Sequence, residues 1–90
     1  MKDVDIAGKT FNAGRKALED AGFKWVETTP TGRQVFRHPV TGAEVYFDSG
    51  KALVGNQKPH WHIRDKAGQA YDRSGRPVGL DENAGHIPGG

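Results

Sequence analysis

Residues 60–64 read His-Trp-His-Ile-Arg, a strict alternation of polar and apolar side chains. A period of two belongs to a strand, where successive side chains point to opposite faces. His60, His62 and Arg64 therefore share one face, and Trp61 and Ile63 the other. Upstream the period is different. Phe11, Gly14, Leu18 and Ala21 recur at helical spacing with Ala17 beside them, while Arg15, Lys16, Glu19 and Asp20 fall outside that stripe. The Thr10 hydroxyl suits an N-cap, and Gly22 stands where a left-handed C-cap is wanted. The spacing predicts an amphipathic helix over 11–21.

Past Gly22 the pattern turns to strand character. Phe23–Thr28, Arg33–His38 and Ala43–Asp48 are separated by Pro30-Thr31-Gly32 and Pro39-Val40-Thr41-Gly42, and the third ends at Ser49-Gly50. Short segments joined by tight turns predict an antiparallel meander. His60–Arg64 and Gln69–Arg73, around Asp65-Lys66-Ala67-Gly68, predict a second hairpin. Val4 and Ile6 suit a short edge strand. Trp25, Phe36 and Phe47 are expected in the core, and Ala52–Val54 is an apolar patch without a period. After Ser74-Gly75-Arg76-Pro77 the chain is rich in Gly and Pro, so 79–90 is expected to be an irregular tail, flexible or docked. The expected fold is α+β. One N-terminal helix packs on a small antiparallel sheet of meander plus second hairpin, followed by an irregular C-terminal tail.

Ninety residues make one small domain, 1–90. A chain of this size buries roughly two-thirds of its unfolded surface. With no Cys there is neither a disulfide framework nor a thiolate metal site. No apolar run approaches the roughly 20 residues of a membrane helix, and no signal peptide opens the chain. No membrane partner is expected. The net charge is only +2, but its distribution is uneven. Lys58, Arg64, Lys66, Arg73 and Arg76 crowd one segment against Asp65 and Asp72. The segment with the paired histidines is thus also the basic one, as a phosphate-facing surface requires.

Imidazole titrates near neutrality, and guanidinium is the natural partner of phosphate. Cleavage of RNA without a metal needs a base for the 2′-hydroxyl, an acid for the leaving oxygen and cations around the phosphorane. His60 and His62 suit the acid–base pair in either order, with Arg64 as the phosphate clamp. Lys58 and Arg73 are further cations for the substrate, Tyr46 offers a face for base stacking, and His38 is a further candidate contact. DNA lacks the nucleophilic hydroxyl and is not an expected substrate. Two other readings stand beside this one. His60 and His62 begin a zinc site that His38, His86 and Asp48 would complete. No second paired-ligand signature exists, so neither a metal nor another cofactor is expected. Alternatively, the imidazoles are polar groups of a half-buried sheet, with Arg64 pairing Asp65 or Asp72.

The run Phe11-Asn12-x-x-Arg15-Lys16-Ala17-Leu18-x-x-Ala21-Gly22-Phe23, then Thr28-Thr29-Pro30-x-Gly32 and Arg37-His38-Pro39-x-Thr41-Gly42, resembles C-terminal toxin domains of bacterial polymorphic toxins of the Rhs and contact-dependent-inhibition type. Lys58-Pro59-His60-Trp61-His62-Ile63-x-Asp65-x-x-Gly68, Gly75-x-Pro77 and His86-Ile87-Pro88 are similar to the tails of such proteins. The helix-then-meander order also looks like that of small HicA-type interferases, whose glycine-serine-histidine signature is absent here. The resemblance implies an endoribonuclease toxin exported within a larger protein. It would act in the target-cell cytoplasm and be neutralised by a cognate immunity protein. The rival class is a non-catalytic module that binds RNA or a protein.

Overall fold

A computed structural model describes residues 5–50, 53, 55, 57–79 and 85–89. The helix forms where the apolar stripe predicts it. α1 spans Phe11–Asp20, and the Thr10 hydroxyl accepts from the Ala13 amide at 3.2 Å. Gly22, at φ +95°, ends it: the Phe23 amide reaches back to the Leu18 carbonyl at 2.9 Å. The strands follow as β1 (Lys24–Thr28), β2 (Gln34–Arg37), β3 (Glu44–Asp48), β4 (His60–Arg64), β5 (Ala70–Tyr71), β6 (Pro77–Val78) and β7 (Ile87–Pro88). They form one antiparallel sheet in the order β1 to β6, with β7 pairing β4 beside β5. The α+β expectation therefore stands.

The turns share one chemistry. In Asp65–Gln69 and Asp72–Arg76 the aspartate Oδ1 accepts two amides of its own loop, and Gly68 and Gly75 take positive φ. Side-chain oxygens of this kind substitute for ladder hydrogen bonds in tight turns. The second hairpin is shorter than 69–73, because Asp72 and Arg73 belong to the next turn and the chain returns as β6. In the tail, Ile87 is buried and β7 pairs Trp61, so residues 85–89 are docked. Ile6 is buried in the core without joining a strand, so the edge strand is not formed at that residue. Val4, Ala52, Val54, 80–84 and Gly90 lie outside the described residues.

Register sorts the side chains into two faces. Val45 pairs Ile63 and Phe47 pairs Trp61, facing α1 with Phe36, Leu18 and Phe23. Tyr46 pairs His62, Asp48 pairs His60 and Glu44 pairs Arg64 on the opposite face, which no helix among the described residues covers. Trp61 is fully buried, 4.5 Å from Phe47 between ring centres, and its indole Nε1 donates to the Lys9 carbonyl at 3.1 Å. Trp25 departs from its core assignment, because β1 is an edge strand. The indole is 39 % exposed, with Phe11 against its edge and the Arg15 guanidinium 4.7 Å from its ring.

Gly14 places α1 directly on Trp61. A Cβ there would sit inside the van der Waals envelope of Trp61 Cζ2 and Cη2. Helix propensity alone favours Ala over Gly by about 1 kcal/mol, but overpacking a tight contact costs about 1–3 kcal/mol. Gly14→Ala is therefore expected to lower the urea midpoint of unfolding despite the better helix former. An unchanged or higher midpoint would show that α1 does not rest on the indole.

Candidate functional site: a histidine cluster on the open face of the sheet

The alternation of β4 sends His60 and His62 to the open face, and the β7–β4 pairing brings His86 to the same place. The three rings pack edge to face. Their centroids are 4.8 Å apart for His60–His62, 4.7 Å for His60–His86 and 4.7 Å for His62–His86. Asp48, from the neighbouring β3, lies under two of them. Its Oδ2 is 3.4 Å from His60 Nε2 and 3.3 Å from His62 Nε2. Arg33 grips the same carboxylate with two bonds, Nε to Oδ1 at 2.6 Å and Nη2 to Oδ2 at 2.9 Å. Asp48 is 3 % exposed and His60 5 %. A buried carboxylate survives only when it is paired and hydrogen-bonded.

These contacts assign protons. The Lys58 carbonyl lies 2.6 Å from His60 Nδ1. A carbonyl only accepts, so Nδ1 carries that hydrogen and Nε2 of a neutral His60 is an acceptor. It faces a carboxylate oxygen, another acceptor. The contact is attractive only with a positive species between them. His62 directs Nε2 at Asp48, which makes Nδ1 the lone-pair nitrogen of its neutral ring. Burial pushes the His62 imidazole below its ordinary value against the pull of Asp48, and His60 and His86 push the same way. Burial alone would raise the Asp48 carboxyl. The His62 ring and the Arg33 guanidinium reverse that and hold it well below the carboxylate range.

Beside the histidines stands a row of guanidinium and phenol. Arg33 and Arg64 lie 4.9 and 5.3 Å from the Tyr46 ring centre. The Tyr46 hydroxyl donates to Glu44 Oε1 at 2.6 Å, and Glu44 is tied to Arg37 at 2.7 Å. Arg64 pairs with neither Asp65 nor Asp72; Asp65 instead accepts from the Tyr71 hydroxyl at 2.8 Å. Among the described residues Arg64 has no ion-pair partner, and its Nε, like His86 Nδ1, is buried without a hydrogen bond. An open pocket of about 370 Å³ adjoins His60 and His86, walled by Lys58, Pro59, Pro88 and Gly89.

The sequence-derived residues divide accordingly. His60, His62 and Arg64 stand together on one strand, with Tyr46 alongside and Lys58 on the rim of the pocket. Tyr46 carries guanidiniums beside its ring where a stacked base was expected. Arg73 stays exposed in the β5–β6 turn, outside the cluster. His38 is elsewhere: its Nδ1 accepts the Val40 and Thr41 amides at 3.2 Å each. It sits at the Glu44 end of β3, roughly a strand length of 15 Å from Asp48. Arg33 is the functional residue that periodicity missed. It opens the expected segment 33–38, just ahead of β2, with the parity of Val35 and Arg37, but alternation does not show which carboxylate it meets. No family model, curated protein or solved structure matches the chain.

Both Asp48 and His62 bind protons less readily in the folded state than unfolded, so acid destabilises the fold through each. His62 withdraws stability as pH falls below about 6.5, and Asp48 as it falls below about 3.8. His62→Gln is expected to flatten the fall in unfolding free energy between about pH 7.5 and about pH 5.5. Urea titrations at the two pH values check this, and equal slopes for variant and wild type would refute it. Asp48→Asn leaves a half-buried Arg33 uncompensated and is expected to cost about 2–3 kcal/mol, at the low end for a broken buried pair because that guanidinium is about one-third exposed.

Proposed function

We propose that this protein is a metal-independent endoribonuclease domain of the polymorphic-toxin type, cleaving RNA through the 2′-hydroxyl next to the scissile phosphate. The observation that carries the reading is the packing of three imidazoles on an open sheet face beside the Arg64 guanidinium, which has no ion-pair partner among the described residues. A general base, a general acid and a phosphorane clamp require two imidazoles and a cation within reach of one phosphate, and this cluster offers those groups.

The roles follow from burial and tautomer. His62, neutral and with Nδ1 free, takes the 2′-hydroxyl proton. The 2′-oxygen bonds to phosphorus, the bond to the 5′-oxygen breaks, and an imidazolium protonates the leaving oxygen. His60 is buried, with Nδ1 bonded to the Lys58 carbonyl and Nε2 turned to Asp48, which suits a positioning residue. The acid role therefore passes to His86, which borders the open pocket. Arg64, steadied against Tyr46, neutralises the phosphorane. The pocket between Pro59 and Pro88 has room for a nucleoside, with the Lys58 ammonium at its rim. The resemblance to polymorphic toxins supplies the biological setting, with a cognate immunity protein as the partner that silences the domain.

The test is cleavage of RNA and of the same sequence as DNA by purified protein in EDTA. Products ending in 2′,3′-cyclic phosphate and 5′-hydroxyl are expected from RNA alone. His62→Ala and His86→Ala are each expected to slow single-turnover cleavage about 100-fold or more, and Arg64→Ala by about 100-fold. Equal cutting of DNA, or full activity in the His62→Ala/His86→Ala double variant, would remove the assignment. RNA binding without cleavage would favour the non-catalytic module.

A further inference from the structure

The ligand nitrogens of His60, His62 and His86 all lie within 4.8 Å of one another. A point equidistant from three atoms at that separation is at most about 2.8 Å from each. Zinc–imidazole bonds are about 2.0–2.1 Å, so ring movements of about 0.7 Å would close the site. Asp48 Oδ2 is already at 3.3 and 3.4 Å from two of the Nε2 atoms. The edge of a tetrahedron with such bond lengths is about 3.3–3.4 Å.

Four features of the cluster point the same way. His60 donates Nδ1–H to a backbone carbonyl, the arrangement that turns the other nitrogen into a metal ligand. In the neutral ring that nitrogen faces a carboxylate oxygen, so the two acceptors meet over either a proton or a metal ion. His86 Nδ1 is buried with no hydrogen-bond partner among the described residues. Arg33 stands behind Asp48 as an outer-shell partner and orients its carboxylate. Imidazole-rich sets suit zinc, copper and nickel, whereas magnesium and calcium require oxygen ligands.

We infer that His60, His62, His86 and Asp48 form a tetrahedral site for a divalent first-row transition metal, zinc foremost, and that the bound ion blocks the nucleolytic use of the same histidines. Binding stands on the geometry alone, while the blocking rests on the ribonuclease reading. An ion bound through His62 Nε2 leaves that ring's proton on Nδ1, so the nitrogen that would accept the 2′-hydroxyl proton has no lone pair, and an ion on His86 takes the place of the proton that ring would deliver; the metal is an off-switch for this site.

The experiment titrates EDTA-treated, dialysed protein with Zn²⁺ by calorimetry and with Co²⁺ by visible absorption. One equivalent of zinc and the intense d–d bands of tetrahedral cobalt are expected, with no response to Mg²⁺. His86→Ala, altering a ring that is only partly buried, and His60→Ala should each weaken zinc binding at least about tenfold, while His38→Ala, altering the one histidine outside the cluster, should not. Zinc should raise the melting temperature of wild type and not that of His86→Ala, which keeps the test open if His60→Ala fails to fold. Absence of stoichiometric binding, or binding undiminished in His86→Ala, overturns the site. RNA cleavage by wild type should then fall on adding zinc and return on adding EDTA. Zinc binding with undiminished cleavage, or cleavage that requires zinc, overturns the off-switch and leaves the site standing. Zinc binding by a protein that cuts no RNA under any condition upholds the site and defeats the ribonuclease proposal and the off-switch together.

Discussion

The seating of α1 on Trp61 is the contact from which the rest of the molecule is set out. The indole is packed against Gly14 of the helix above it, Phe47 of the adjacent β3 and Phe36 of β2 beyond it, with the Lys9 carbonyl on its one polar atom. Removing an aromatic group from such a place costs about 3–5 kcal/mol, a large part of what a domain this small possesses. The indole therefore fixes which way β4 faces. A slip of one residue would send Trp61 to water and the histidines into the apolar layer. The chemistry of the open face is a consequence of apolar packing on the hidden one.

On the open face Asp48 has a comparable place. Its carboxylate is the buried anion toward which Arg33, His60 and His62 all converge. With Arg33 satisfied by Asp48 and Arg37 by Glu44, Arg64 is left as the guanidinium of that face without a carboxylate of its own among the described residues. Tyr46 holds both Arg33 and Arg64 against its ring. Such contacts contribute about 0.5–1 kcal/mol where exposed and more where water is excluded. They limit the motion of a cation that has no salt bridge to orient it.

The same close packing places the proposed proton transfer and the proposed metal binding on one set of side chains. Both require imidazole lone pairs held near each other with outer hydrogen bonds that decide which nitrogen is free. A carboxylate behind the rings steadies the charge in either case. Acid titrates this site, and RNA phosphate and a metal ion are the two further charged species proposed for it.

Much of this was legible along the chain. The helix, its two caps, the meander and the inside-outside division of β4 follow from periods of 3.6 and 2 and from turn residues, because these are local properties of the backbone. Nearness across the sheet is not local. His86 joins the site only because β7 pairs β4, and its short Gly- and Pro-flanked segment carries no period from which to read that pairing. Arg33 has the parity of the open face, but its meeting with Asp48 depends on how β2 pairs β3. Trp25 keeps an apolar identity yet lies at an edge, where strand order and not composition decides its exposure. His38 carries the same imidazole as the others, but the β2–β3 turn uses it as an acceptor at the far end of the strand. Residue type determined what chemistry the chain is able to do. Long-range strand pairing decided which of those residues meet, since backbone hydrogen bonds between distant segments depend on the whole packed core.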